Sequence, residues 1–314
     1  MKRAFKAIML ASALAALPMT TSSAMAQPSA FNSQCGEECL KGVMDQYLDA
    51  VLAHDSTKLP LAASYKATYN GRQTRFSEDY WAQTDEFPYR QYVYDTASGQ
   101  VAFFGVSREG RTRGSASIRI KVSGGKITEL EQLIGEQRVD NLMSMVSPNP
   151  LIDMKLTRQQ QRSREELAGV VRAYFQALED HDGSKLSVAP DCRRFDAGVQ
   201  TSLNPLARLP QRCNEKFELV TYMDAVTERR TPMVDVERGI VVSFGIIKVS
   251  KPPQRVPGEN PNANTSTGTT MSLNQMFAKP HDTLGMGFFK IIDGRIVEFH
   301  GYRRDMPLNW GSGW

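Results

Sequence analysis

The stretch LAHDSTKLPLA, Leu52–Ala62, is echoed by EDHDGSKLSVA, Glu179–Ala189, and this echo decides the fold. Laid over each other at an offset of 127, segments 40–74 and 167–201 share Leu40, Gly42, Val43, Tyr47, Ala50, His54, Asp55, Lys58, Leu59, Ala62, Gly71, Gln73 and Thr74 without a gap. So many ungapped identities mark an internal duplication. Further on, Asp95, Gly99, Val101, Phe104 and Gly105 recur at an offset of 140 as Asp235, Gly239, Val241, Phe244 and Gly245. Lys121, Gly125, Ile127 and Glu129 recur at 169 as Lys290, Gly294, Ile296 and Glu298. The growing offset means that the second half carries insertions. One of them, Pro252–Thr270, is rich in Pro, Asn, Thr and Gly and reads as a flexible surface loop or lid.

Working outward from the repeat, apolar residues between Glu38 and His54 fall at the three-and-four spacing of a helix that buries one face, and Glu165–His181 copies the pattern. HDSTKL and HDGSKL then supply a helix end, a short connection and an Asp or Ser to cap the next turn. Strands follow. QYVYDTASGQVAFFGVSR reads as two β-runs around a Ser-Gly turn, and MVDVERGIVVSFGIIKVS has the same grammar. Each half is therefore an opening helix, a connecting segment and a set of long antiparallel strands, an α+β arrangement. The expected layout is a signal peptide over 1–26, a first domain over 33–146, a linker over 147–164 and a second domain over 165–314.

Composition narrows the setting. The first 26 residues have a basic start (Lys2, Arg3, Lys6), an apolar run and the small-residue ending SAMA, the layout of a cleavable secretory signal. Its loss would remove three cations and no acid, leaving +1 of the formal +4. That balance argues against nucleic acid or an anionic membrane as partner. No later apolar run approaches the roughly 20 residues of a spanning helix, so no membrane insertion is expected after cleavage, and the chain reads as secreted or periplasmic. The four cysteines of an exported chain read as disulfides, with local pairing Cys35–Cys39 and Cys192–Cys213 the simplest choice. A zinc site is the alternative, but no His lies at ligand spacing from either pair. There is no G-x-S-x-G, no H-E-x-x-H, no phosphate-cradling Gly loop and no dinucleotide fingerprint. These absences disfavour serine hydrolases, zincins, kinases and NAD enzymes, and no cofactor is expected.

A helix ending in AHD, a KL segment, a first strand reaching an N-G turn, and later strands with G-x-V-x-F and K-x-x-x-G-K/R-I-x-E together resemble the nuclear transport factor 2-like, or SnoaL-like, superfamily. The resemblance covers nearly the whole mature chain, once per half. It implies two cone-shaped domains, each a curved, mostly antiparallel sheet wrapped around helices and enclosing a pocket, paired within a monomer. The tandem arrangement, opening on CLKGVMDQYLDAVLAHD and closing on SGW, resembles an exported bacterial and fungal branch of that superfamily.

His54 and His181 are repeated, but they lie where a helix ends, so punctuation competes with catalysis. In steroid isomerases of the superfamily a catalytic carboxylate sits on the first strand, and the resemblance carries that role to Asp196 in RRFDAGVQT. An Asp in an apolar cone has its pKa raised by desolvation, which suits a proton shuttle. The same column in the first half is Tyr69, followed by Asn70 and Gly71, so the halves cannot share a mechanism. Strand alternation in EFHGYRRDMP puts Glu298, His300 and Tyr302 on one face. Apolar Ile296 shares it, which turns His300 inward as acid or partner to Asp196. The aromatic run EDYWAQTDEFPYRQYVY offers Trp81 and Tyr89, with Tyr69, Asn70 and Tyr302, to orient a small apolar or aromatic ligand. The arginine doublets 193–194 and 229–230 read as surface residues. Two functional readings follow: a cofactor-independent lyase, isomerase or dehydratase acting on a ring-containing metabolite, or a non-catalytic binding or interaction module.

Overall fold

The computed structural model describes residues 35–74, 78–110, 112–135, 149–204, 212–215, 217–249 and 280–314. The signal-peptide reading and the Pro252–Thr270 loop lie outside the described residues. Helix α1 (Glu37–Leu52) buries Leu40, Val43, Met44, Tyr47, Leu48 and Val51 along one face and carries Glu37 and Glu38 in its first turn, where acids favour the positive end of the helix dipole. After the short helices α2 (Glu78–Gln83) and α3 (Pro150–Asp153), helix α4 (Arg164–Asp180) is the copy of α1, opened by a capping box between Ser163 and Glu166.

Both helices stop in the same way. His54 and His181 each take φ of 53°, the left-handed conformation. The following amide reaches back to close a Schellman turn: Asp55 N–H donates to Ala50 O, and Asp182 N–H to Ala177 O, each at 3.0 Å. The Asp side chains then start the next segment, Asp55 accepting from Thr57 N–H at 3.0 Å and Asp182 from Ser184 N–H at 2.8 Å. The backbone of each His and the side chain of each Asp are thus used in turning the chain, while the His54 ring contacts Trp81 O.

The first sheet contains β1 (Leu61–Tyr69), β2 (Arg72–Gln73), β3 (Glu86–Asp95), β4 (Gln100–Glu109), β5 (Thr112–Ser123) and β6 (Lys126–Ile134), in the order β2-β1-β6-β5-β4-β3. The second contains β7 (Val188–Asp196), β8 (Val199–Gln200), β9 (Met223–Asp235), β10 (Ile240–Val249), β11 (His281–Ile292) and β12 (Arg295–Met306), in the equivalent order β8-β7-β12-β11-β10-β9. β1 and β6 run parallel, as do β7 and β12, and the other neighbours are antiparallel. The fold is α+β, each half pairing one long helix with a six-stranded, mostly antiparallel sheet.

Three apolar cores result. α1 packs on one face of the first sheet and α4 on one face of the second. The opposite faces of the two sheets meet, with Phe104, Val106 and Leu133 of the first packed among Phe244, Met286 and Phe288 of the second. Among the ion pairs that cross this junction, two start from the first turns of α1 and α4. The Arg164 guanidinium forks onto Asp95 at 2.8 and 2.9 Å, and Glu37 takes the Arg238 fork at 2.8 and 2.9 Å. The described part of the expected linker is packed as well: Asn149 caps a short helix, α3 (Pro150–Asp153), and Ile152 and Leu156 are buried. Disulfides join Cys35 to Cys39 and Cys192 to Cys213.

Candidate functional site

β7 alternates across the second sheet, so Arg194 and Asp196 point to the α4 side and Phe195 to the other. The Arg194 guanidinium holds the Asp196 carboxylate through three contacts of 2.9–3.2 Å, and the Thr201 hydroxyl donates to it at 2.6 Å. Beneath them, Arg194 lies 5.5 Å from the centre of the Phe299 ring, which in turn touches Tyr174 at 5.0 Å. Burial pushes the Asp196 carboxyl up, but the Arg194 charge, the hydrogen bonds from Arg194 and Thr201, and Arg303 outweigh it and leave the group below the usual carboxylate range. The raised pKa expected for this residue is therefore corrected: its ion pair overrides desolvation. Burial raises the Tyr222 phenol, which interacts electrostatically with Arg303, Arg194 and Asp196. The Asp196 side chain keeps 39% of its accessible surface.

His300 does not share that face of the sheet. β11 and β12 slip register between Lys290 and Ile291, so that Ile296 pairs with Ile291, Glu298 with Lys290, and Val297 is left over as a bulge. The extra residue reverses the faces. Ile296 joins the α4 core, whereas His300 is 3% exposed between the sheets, stacked on Phe195 at 4.5 Å and beside Phe104 at 4.8 Å. Its Nε2 is 2.7 Å from Glu298 Oε1. The inference that His300 and Ile296 share a face is therefore corrected, and with it the placement of His300 opposite Asp196.

The expected ligand-orienting residues are also dispersed. Trp81 meets Tyr47 edge-on at 5.7 Å, and Tyr69 lies 6.2 Å from Tyr80, both pairs within the α1 core. Tyr89 and Tyr302 belong to the core between the sheets. Asn70 turns β1 into β2 with φ of 48°, and its side-chain oxygen accepts from Ile134 N–H at 2.8 Å. The core of the first half is filled by its own side chains: the Tyr47 hydroxyl donates to Gln132 at 2.6 Å, and Phe87 packs edge-on against Phe103 at 5.7 Å.

A family model described as a domain of unknown function (DUF8021) matches residues 34–134 and 160–302. The chain belongs to that family. No curated protein matches it. Among solved structures, a "putative isomerase" from Bacillus subtilis is similar with TM-score 0.27 and 12% identity, over 45% of this chain and 87% of that one. A "putative polyketide cyclase" from Xanthomonas campestris pv. campestris is similar with TM-score 0.27 and 16% identity, over 44% of this chain and 90% of that one.

In this DUF8021 chain the arginine doublets are ion-paired rather than simply solvated. Arg193 reaches Glu298 at 2.6 Å while Arg194 holds Asp196; Arg229 pairs with Glu179 while Arg230 reaches Glu131 at 2.5 Å. A groove of about 580 Å³ beside α4 and β9 is lined by Arg172, Phe175, Gln176, Arg229, Arg230 and Thr231. Its three arginines are already neutralised by Glu165, Glu179 and Glu131. Among the described residues no cluster of three or more His, Cys, Asp or Glu could hold a metal. No described helix is long and apolar enough to cross a membrane. Reading the sequence missed Arg194, Thr201 and Tyr222 as neighbours of Asp196. Only Arg194 left a trace there, two residues from Asp196 on the same strand face.

Proposed function

We propose that this is an exported small-molecule-binding protein whose ligand seat is the second cone, around Arg194, Asp196, Thr201 and Tyr222, with the first half as its structural partner. One observation carries the reading: Asp196 is ion-paired and still 39% accessible, whereas its counterpart Tyr69 packs into a core occupied by aromatic side chains. The seat suits a small ring-bearing molecule. Its apolar body would lie toward Phe299 and Tyr174, and a polar substituent would meet the phenol, the hydroxyl and the ion pair. Export is supported by the layout of residues 1–26 and by disulfides that persist in oxidising compartments.

Binding is favoured over lyase or isomerase chemistry. A shuttling group works best with its pKa near the working pH, and Asp196 is held below the usual carboxylate range. His300, the partner required by that chemistry, lies on the opposite face of the sheet. The test is native mass spectrometry of the protein purified from its own exported fraction, followed by titration with whatever is released. Asp196→Asn is expected to weaken retention about tenfold, equivalent to about 1.4 kcal/mol, while Tyr47→Phe leaves it unchanged. Equal retention by Asp196→Asn would remove the second cone as the seat. Turnover of the released molecule that is lost in Asp196→Asn would restore the enzyme reading.

A further inference from the structure

The face of the first sheet that meets the second carries a slot of different character. The indole of Trp314 lies in it, donating Nε1–H to Thr68 Oγ1 at 2.9 Å. Three cations surround the ring, with Lys66 Nζ 4.5 Å, Arg119 4.7 Å and Arg230 5.4 Å from its centre. Arg119 is 1% exposed and its guanidinium is held by Glu129, Glu131 and Gln100 at 2.6–3.1 Å, partners other than the ring. Cations over an indole face attract it through the ring quadrupole, and do so most strongly when desolvated.

The duplication explains why a ring belongs there. The columns of Thr68, Arg119 and Glu131 in the first half are those of Phe195, Phe288 and His300 in the second, at offsets of 127, 169 and 169. In the second half Phe195 and His300 stack at 4.5 Å with 6° between their planes, filling the place with the domain's own rings. In the first half those columns carry a small hydroxyl, a guanidinium and a carboxylate, and the ring arrives from another part of the chain.

We infer that the first sheet carries a ring-binding slot, walled by Lys66, Thr68, Arg119 and Arg230, that takes a planar indole-type aromatic with an N–H donor, and that Trp314 is its built-in occupant. With Trp314 absent, the slot accepts an external ring of that class.

The test uses the full chain and free indole, read by thermal melting. Trp314→Ala is expected to melt about 5–10 °C lower than wild type, the loss of a half-buried indole and its cation contacts. Indole at roughly ten times its Kd is expected to return about 3–5 °C to that variant and to leave wild type unmoved. In Trp314→Ala/Thr68→Phe, which fills the slot as Phe195 does in the other half, the response to indole disappears. Equal responses in wild type and Trp314→Ala, or a response that survives Thr68→Phe, would overturn the inference. If Trp314→Ala does not fold, Thr68→Phe alone decides: the introduced ring expels Trp314, whose fluorescence shifts to the red, and unchanged emission from a folded variant would count against the slot.

Discussion

Removing Arg164 is the sharpest probe of how the halves hold together. Its side chain is 44% exposed while that of Asp95 is 1% exposed, so deletion strands a buried carboxylate and leaves little stranded on the other side. Breaking a fully buried pair costs about 3–5 kcal/mol. The half-exposed guanidinium discounts this, because solvent already screens part of the attraction, and Val234 N–H still donates to Asp95 at 2.9 Å. Arg164→Ala is therefore expected to cost about 2 kcal/mol at pH 7, or roughly 4–8 °C in Tm. The pH dependence separates this from a packing effect. In wild type, burial pushes the Asp95 carboxyl up, but the Arg164 fork and the Val234 and Ser98 hydrogen bonds bring it below its ordinary value. Its stabilisation is present above the unfolded value of about 3.9 and is lost as pH falls through the folded one. Without Arg164 burial is offset only by the Val234 and Ser98 hydrogen bonds, so the ionised group becomes costlier at neutral pH, a cost relieved by protonation. Urea unfolding with both disulfides intact should show the gap between wild type and variant widest near pH 7 and narrowing below about pH 4. Arg164→Lys, which keeps the charge and loses the fork, should fall between them. A gap that stays constant from pH 7 to pH 3 would refute the reasoning.

Other outcomes follow from the same structure. Cys192 and Cys213 close a loop with a sequence separation of 21, and replacing both by Ser is expected to cost about 3 kcal/mol, read as a lowered urea midpoint. His181→Gly, at the left-handed helix end, is expected to change stability by less than about 1 kcal/mol and leave ligand retention intact. A large loss of retention would return the repeated histidine to the functional site.

How much of this was legible in the sequence depended on the range of the cause. α1 and α4, the strands and their hairpins announced themselves because apolar spacing and turn glycines act within a few residues. The duplication went further, since an ungapped offset locates equivalent strands without any contact being known. The faces of β12 could not be read: one extra residue at Val297 reverses every side chain that follows, and alternation counted from Ile296 put His300 on the wrong side. The clamps from Arg164 to Asp95 and from Glu37 to Arg238 were silent too, because each charge finds its partner in the other half of the chain. Asp196 could be singled out as a column, but its protonation state depends on Arg194 and Thr201, whose approach only the folded strand pair provides.

Glu37 and Arg164 occupy the same column of the duplication, 127 residues apart, with opposite charge. The positions they grip, Asp95 and Arg238, differ in sign as well. Two copies of the first half brought together would set Glu37 against Asp95. Two copies of the second would set Arg164 against Arg238, whose neighbour Asp235 is already engaged by that arginine. Each half therefore distinguishes its complement from itself. When several chains fold side by side, a first half can find any second half, its own or a neighbour's, but like with like is disfavoured by charge.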